Sequence, residues 1–232
     1  MLGKKNIYKV LEKSIGYRFR DRSLLERALL HRSFRFEQKQ DMRDNQRLEF
    51  LGDAVLGMAT AAYLFETYED KLEGDMTSLR SRVTSGKALA EIARGIGLGD
   101  FLKMGRGEEK SGGRNRSSNL EDAIEAVIGA AWLDGGTKAT DKIFKRVFVP
   151  QINSLSDNVW ADNPKGQLQE YVQANWKDAP IYRVVKREGP QHAAIFHVEV
   201  EIPDGRKACA SARNKQGAEA LAAAEMLKKV KL

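Results

Sequence analysis

The sequence predicts an all-α N-terminal domain over residues 1–156, a linker at 157–162, and a small α+β domain of order α-β-β-β-α over 163–232. Three observations carry this. Helical periodicity runs from residue 6 to 155. A polar, turn-rich stretch, "SDNVWADNPKG", follows it. Alternating apolar and polar residues come after that stretch, bracketed by two helical segments. A chain of 232 residues is long enough for one or two domains with a sizeable core.

In order, "IYKVLEKSIGY" and "SLLERALLHRSF" read as short amphipathic helices, with Asp21 and Ser23 as caps for the second. Residues 45–68 read as one long buried helix. "GDMTSLRSRVTSGKALAEIARGIGL" is helical, with Gly95, Gly97 and Gly99 as breakers. "GRGEEKSGGRNRSS" is rich in glycine, serine and charge, which predicts a loop. "NLEDAIEAVIGAAWLDGG" is a helix stopped by Gly135 and Gly136, and "TKATDKIFKRVFVPQINSL" closes the helical block. Beyond the linker come a helix ("KGQLQEYVQANW"), three strands ("IYRVVKRE", "AIFHVEVEI", "KACASA") and an alanine-rich helix ("KQGAEALAAAEMLKKV").

The net charge of +7 leans towards polyanionic partners, a solvated basic surface being the ordinary alternative. Cys209 is the lone cysteine, which excludes an internal disulfide and a cysteine-based zinc site. The N-terminal stretch is interrupted by charge and does not read as a signal peptide. No charge-free apolar run reaches the roughly 18 residues of a membrane span. These features predict a cytosolic protein that does not enter a membrane.

Two pairs of acids stand out. Glu49 and Asp53 are four apart, and Asp122 and Glu125 three apart, each pair on one face of an apolar helix. If the helices pack together, four carboxylates converge. Like charges so close raise one another's pKa, and a divalent cation relieves this. Hard oxygen donors without histidine or cysteine point to magnesium or manganese, and to phosphoryl chemistry. Helix caps or ion pairs would use the same residues, and spacing alone leaves both readings open. Arg47 is read as an ion-pair partner of Glu49, and His31 as a structural histidine.

"NQRLEFLGDAVL" closely resembles the signature of the ribonuclease III family, endonucleases of double-stranded RNA. The resemblance continues in order through "LEGDMTSLRSRVTSGKALAEIARGIGLG", "GRGEEKSGGRNRSSNLEDAIEAVIGAAWLDGG" and the C-terminal domain. It implies that Glu49, Asp53, Asp122 and Glu125 bind the metal, with Asp53 and Glu125 as catalytic residues. It also implies a homodimer whose two sites cut opposite strands, leaving 5′-phosphate and 3′-hydroxyl ends, and a role in ribosomal and other precursor RNA processing. One position departs from the pattern. The family often has an acid where Gln46 stands, while Glu73, its expected partner across the dimer, is present. Gln46 can hydrogen-bond but carries no charge.

Residues 163–232 resemble a double-stranded-RNA-binding domain. In "KGQLQEYVQ", Leu168, Tyr171 and Val172 face the core. Gly166, Gln169 and Glu170 are expected to stay exposed and to meet 2′-hydroxyls in an RNA minor groove. "GPQH" is a turn that would bring His192 into a second minor groove. Arg213 and Lys215 open the last helix, where positive charge and free N–H groups favour phosphate. The family usually has two adjacent basic residues here; this chain has Lys215 followed by Gln216. His197 reads as an ordinary strand residue. The resulting expectation is a magnesium-dependent endoribonuclease of duplex RNA. The alternatives are a catalytically silent RNA-binding protein and a phosphohydrolase of small substrates.

Overall fold

The computed structural model describes residues 4–38, 43–69, 71–161, 163–190 and 193–230. Contacts group the chain into two units, residues 1–71 with 76–155, and residues 72–75 with 156–232. Each is described by itself.

The first unit is built from α1 (Lys4–Ile15), α2 (Arg22–Ala28), α3 (Arg32–Gln38), α4 (Gln46–Thr67), α5 (Glu73–Val83) from Met76 onward, α6 (Gly86–Gly95), α7 (Arg106–Lys110), α8 (Ser117–Val147) and the start of α9 (Val149–Ala161). Its axis is α8, whose residues 123–131 are all buried. α4, α6 and α2 pack around it. The apolar run that opens α8 is therefore enclosed by other helices, which is why it reads as apolar on nearly every side. Gly136 breaks the helix with φ 60° and ψ −151°, after which it resumes at once. The predicted glycine stop is thus a kink between two helical arms.

Four sequence expectations are corrected. "SLLERALLHRSF" is two helices, because the backbone between them pairs with Lys103: Lys103 N–H donates to Leu29 O at 2.8 Å and His31 N–H to Lys103 O at 2.9 Å. The predicted loop at 105–118 holds α7 and a 3₁₀ turn, Gly113–Asn115. α4 is a single helix but not buried all round. Leu48, Val55, Leu56 and Leu64 are in the core, while Phe50, Met58 and Phe65 are exposed. It is the one helix among the described residues long and apolar enough to cross a membrane by length and composition, and its buried face packs on α8. Finally, α9 runs to Ala161, through five of the six residues of the predicted linker, 157–161. That stretch contains no glycine or proline until Pro164, which opens the next helix under an Asn163 cap.

The second unit contains α10 (Pro164–Trp176), β1 (Ile181–Glu188), β2 (Ile195–Glu201), β3 (Lys207–Ala212) and α11 (Lys215–Val230). The sheet is antiparallel in the order β1-β2-β3, with a register shift between Val184 and Lys186. Val198 and Val200 point into a core shared with Leu168, Val172, Ala222 and Met226. Period-2 alternation on β2 and helical periodicity on α10 and α11 meet in that one layer.

Candidate active site

Two glycines let α4 and α8 cross at backbone contact. A β-carbon on Gly52 would overlap the Glu125 carbonyl oxygen, and one on Gly129 would overlap that of Leu48. The acids sit around this crossing. Glu49 and Asp53 lie one turn apart on α4; Asp122 and Glu125 lie on the facing stretch of α8. Asp53 is exposed, Glu49 and Asp122 are half-buried, and Glu125 is buried.

Electrostatics ties the four together. Burial, and then the charges of Asp53, Glu121, Glu49 and Asp122, push the Glu125 carboxyl up to about 8. Burial followed by Asp122 and Glu121 raises Glu49, and burial followed by Glu121 raises Asp122. The opposing charge on both Glu49 and Asp122 comes from Arg32. Arg47, expected to serve that purpose, is exposed.

Sequence patterning passes over Glu121, which adds negative charge to the cluster and lies against Gly86 at the start of α6. Its position next to Asp122 was the available signal. The patterning also passes over what anchors α8. Buried Asn119 donates to Glu108 Oε1 at 2.8 Å and to Gly113 O at 3.0 Å, and Arg116 pairs with the same Glu108 oxygen at 2.5 Å. Arg114 donates to the carbonyls of Gly99 and Leu102 at 3.0 and 2.8 Å. The 105–118 segment is thereby a fixed brace one turn before Asp122. His31 is held by local hydrogen bonds, which suits the structural reading. It is buried, its Nδ1 accepts from the Ser33 amide, and Ser33 Oγ accepts from Gly105 N–H.

Among the described residues, no group of three or more His, Cys, Asp or Glu side chains is arranged to hold a metal ion as it stands. The donor chemistry nonetheless fits a hard divalent cation. Every candidate donor is a carboxylate oxygen, and burial and mutual repulsion, which a cation would relieve, hold Glu49, Asp122 and Glu125 towards their neutral forms. Gln46 and Glu73 are both exposed, at the first turns of α4 and α5.

In the second unit, Arg213 and Lys215 are exposed at the start of α11, where Asn214 caps the Gly217 N–H at 2.7 Å. Gln216 is exposed beside them. Gln169 is exposed and Glu170 half-buried on α10. Glu170 therefore departs in part from the expected exposure, and Gly166 departs from it fully. Gly166 is buried, with Asn163 over it accepting its N–H at 3.2 Å and the Asp75 carboxylate also against it. His192 lies outside the described residues. His197 sits in a surface strand cluster, with Nδ1 2.7 Å from Ser211 Oγ and Nε2 3.2 Å from Glu188.

Residues 21–152 match the Ribonuclease-III-like family, and residues 164–230 the double-stranded RNA binding motif. The chain belongs to the ribonuclease III family. It is 39% identical to Ribonuclease 3 of Syntrophotalea carbinolica over 94% of each chain. It is 43% identical to Ribonuclease 3 of Pseudomonas fluorescens over 83% of this chain and 81% of that one. Among solved structures, the nuclease domain of ribonuclease III from Campylobacter jejuni matches with a TM-score of 0.57 and 39% identity, covering 65% of this chain and 97% of that domain. A second structure of that domain, described as showing structural flexibility in the region involved in dimer formation, matches with a TM-score of 0.56 and 40% identity, covering 61% and 98%. Membership makes this chain an endoribonuclease of double-stranded RNA.

Proposed function

We propose that phosphodiester cleavage takes place at the α4–α8 crossing, on magnesium, with manganese as a substitute. Glu49, Asp53, Asp122 and Glu125 would hold the metal, and Asp53 and Glu125 would face the reacting phosphate. The observation that carries this reading is the pairing of acids on two helices locked together at Gly52 and Gly129. When bound, a divalent cation would polarise the phosphodiester and lower the pKa of an attacking water. The chain's own part is to fix the ligands. The glycine crossing sets the spacing of the two helices, and the Glu108–Asn119–Arg116 brace holds the start of α8. Arg32 limits the repulsion between Glu49 and Asp122. Products with 5′-phosphate and 3′-hydroxyl ends, a cytoplasmic location and a role in precursor RNA processing, ribosomal RNA included, belong to the same reading.

The chain would act as a homodimer. The exposed Phe50, Met58 and Phe65 on α4 are costly in water and suit a subunit contact, with Gln46 and Glu73 at its edge. The functional division would be a nuclease domain at 1–156, a linker at 157–162 and an RNA-binding domain at 163–232. In the last of these, Gln169, Glu170 and His192 would meet the minor groove, and Arg213 and Lys215 phosphate. Gly166 would act through its backbone and its place under the Asn163 cap.

The test is cleavage of a long RNA duplex with and without magnesium. Cutting that depends on the added metal is expected. Duplex binding without cutting at any magnesium level would favour a catalytically silent RNA-binding protein.

A further inference from the structure

α11 is alanine-rich and buries its apolar face, yet Glu219 lies buried within it. A buried carboxylate needs compensation, and here two lysines supply it. Lys165 Nζ, from the first turn of α10, is 2.6 Å from Glu219 Oε2. Lys215 Nζ, one turn earlier on α11, is 3.8 Å from Oε1. Lys165 is confined a second time, with its ammonium 4.9 Å from the centroid of the Tyr182 ring. Exposure is uneven across the cluster. The Glu219 side chain is 12% exposed, against 40% for Lys165 and 63% for Lys215. The carboxylate therefore sits inside, and the two ammonium groups stand outside it.

We propose that Glu219 is a positioning residue for duplex RNA. It holds Lys165 and Lys215 as a pair aimed at phosphate, which adds Lys165 to the contacts of the domain. This rests on the RNA-binding role given to residues 163–232. A free lysine side chain loses rotamer entropy when it grips a phosphate, and one already held by a buried carboxylate and an aromatic ring loses less. Simple charge counting predicts the opposite. An acid on a face that meets a polyanion repels it, so removing that acid should tighten binding. The sign of one measurement separates the two.

The experiment measures the affinity of the full chain for a mixed-sequence RNA duplex in EDTA, where cutting is suppressed, across a series of salt concentrations. Glu219→Gln, Lys165→Met and the double variant are compared with the unaltered chain. Methionine keeps an unbranched stem on Tyr182 and removes the charge. Glu219→Gln is expected to weaken binding on the order of fivefold, the cost of re-immobilising a side chain. Lys165→Met is expected to lower the salt slope by about one phosphate contact. The double variant is expected to lose less than the product of the single effects, because Glu219 acts through the lysines. Equal or tighter binding by Glu219→Gln, or effects that simply multiply, would overturn the proposal. Thermal unfolding identifies a variant that does not fold. If Glu219→Gln is one, Lys165→Met decides alone, and an unchanged salt slope overturns the role of Lys165. Failure of the unaltered chain to bind the duplex would instead overturn the RNA-binding reading beneath it.

Discussion

Gly52 on α4 lies directly against the main-chain carbonyl of Glu125 on α8. A β-carbon at residue 52 would overlap that oxygen and stand 3.0 Å from the Gly129 nitrogen. Backbone cannot yield as a flexible side chain can, so the two helices would have to separate. Overpacking of this kind costs about 1–3 kcal/mol, and backbone displacement places Gly52→Ala at the upper end. The expected result is a lower urea midpoint together with reduced cleavage, since the same shift parts Glu49 and Asp53 from Asp122 and Glu125. An unaltered midpoint would show that the crossing tolerates a methyl group.

Glu125→Gln keeps the shape of the side chain and removes its charge. If that charge helps to hold a divalent cation, cutting should be lost at ordinary magnesium levels while duplex binding persists. Cleavage and binding measured on one preparation check this. Near-normal cutting would remove Glu125 from the metal site.

Glu125 also makes a pH prediction for the metal-free protein. Its folded carboxyl is raised from the ordinary 4.5 to about 8, chiefly by burial. The unfolded chain therefore gives up this proton first, and stability falls as pH rises from about 4.5, levelling off above about 8. At roughly 1.4 kcal/mol per pH unit the loss is a few kcal/mol. Thermal unfolding in EDTA should show the decline in the unaltered chain and a flatter profile in Glu125→Gln. Parallel profiles would refute it.

A chain ending at Ala161 keeps α9 whole and every acid of the cluster. It should cut duplex RNA at low salt and lose activity at lower salt than the full chain, because the removed residues include Arg213 and Lys215, the proposed phosphate contacts. Matching salt profiles would mean that residues 163–232 do not engage the substrate.

Much of this was legible in the sequence because the pattern and the packing agree. α11 spans Lys215–Val230, the same residues its periodicity marks out, and the alternation in "AIFHVEVEI", with Val198 and Val200 buried, gives β2 to within one residue at each end. The acid pairs were legible from spacing alone, since i,i+3 and i,i+4 put each pair on one face whatever the tertiary structure. What failed depends on partners distant in sequence. Nothing local to "ALLHRS" announces that Lys103 will pair with its backbone and split the helix. The small size of Gly52 and Gly129 gains its meaning only when the helices meet. Gly166 looks free to touch a ligand until Asn163 turns back to cap α10 and covers it.

The last prediction separates RNA from DNA. Gln169 is exposed on α10 and is neutral, so its proposed partner is a 2′-hydroxyl, which DNA lacks. Arg213 is exposed just before α11 and is charged, so its proposed partner is phosphate, which both duplexes carry. Arg213→Ala should therefore weaken RNA binding at every sequence and reduce the salt slope by about one contact. Gln169→Ala should weaken RNA binding with little change in that slope. It should also narrow the preference for RNA over DNA, because only the RNA complex loses a bond. Titrations of both variants against matched RNA and DNA duplexes over a salt series check these outcomes. Equal slope changes in the two variants would mean that the division between groove and phosphate contacts is wrong, and equal affinity of the unaltered chain for both duplexes would remove the 2′-hydroxyl from its recognition.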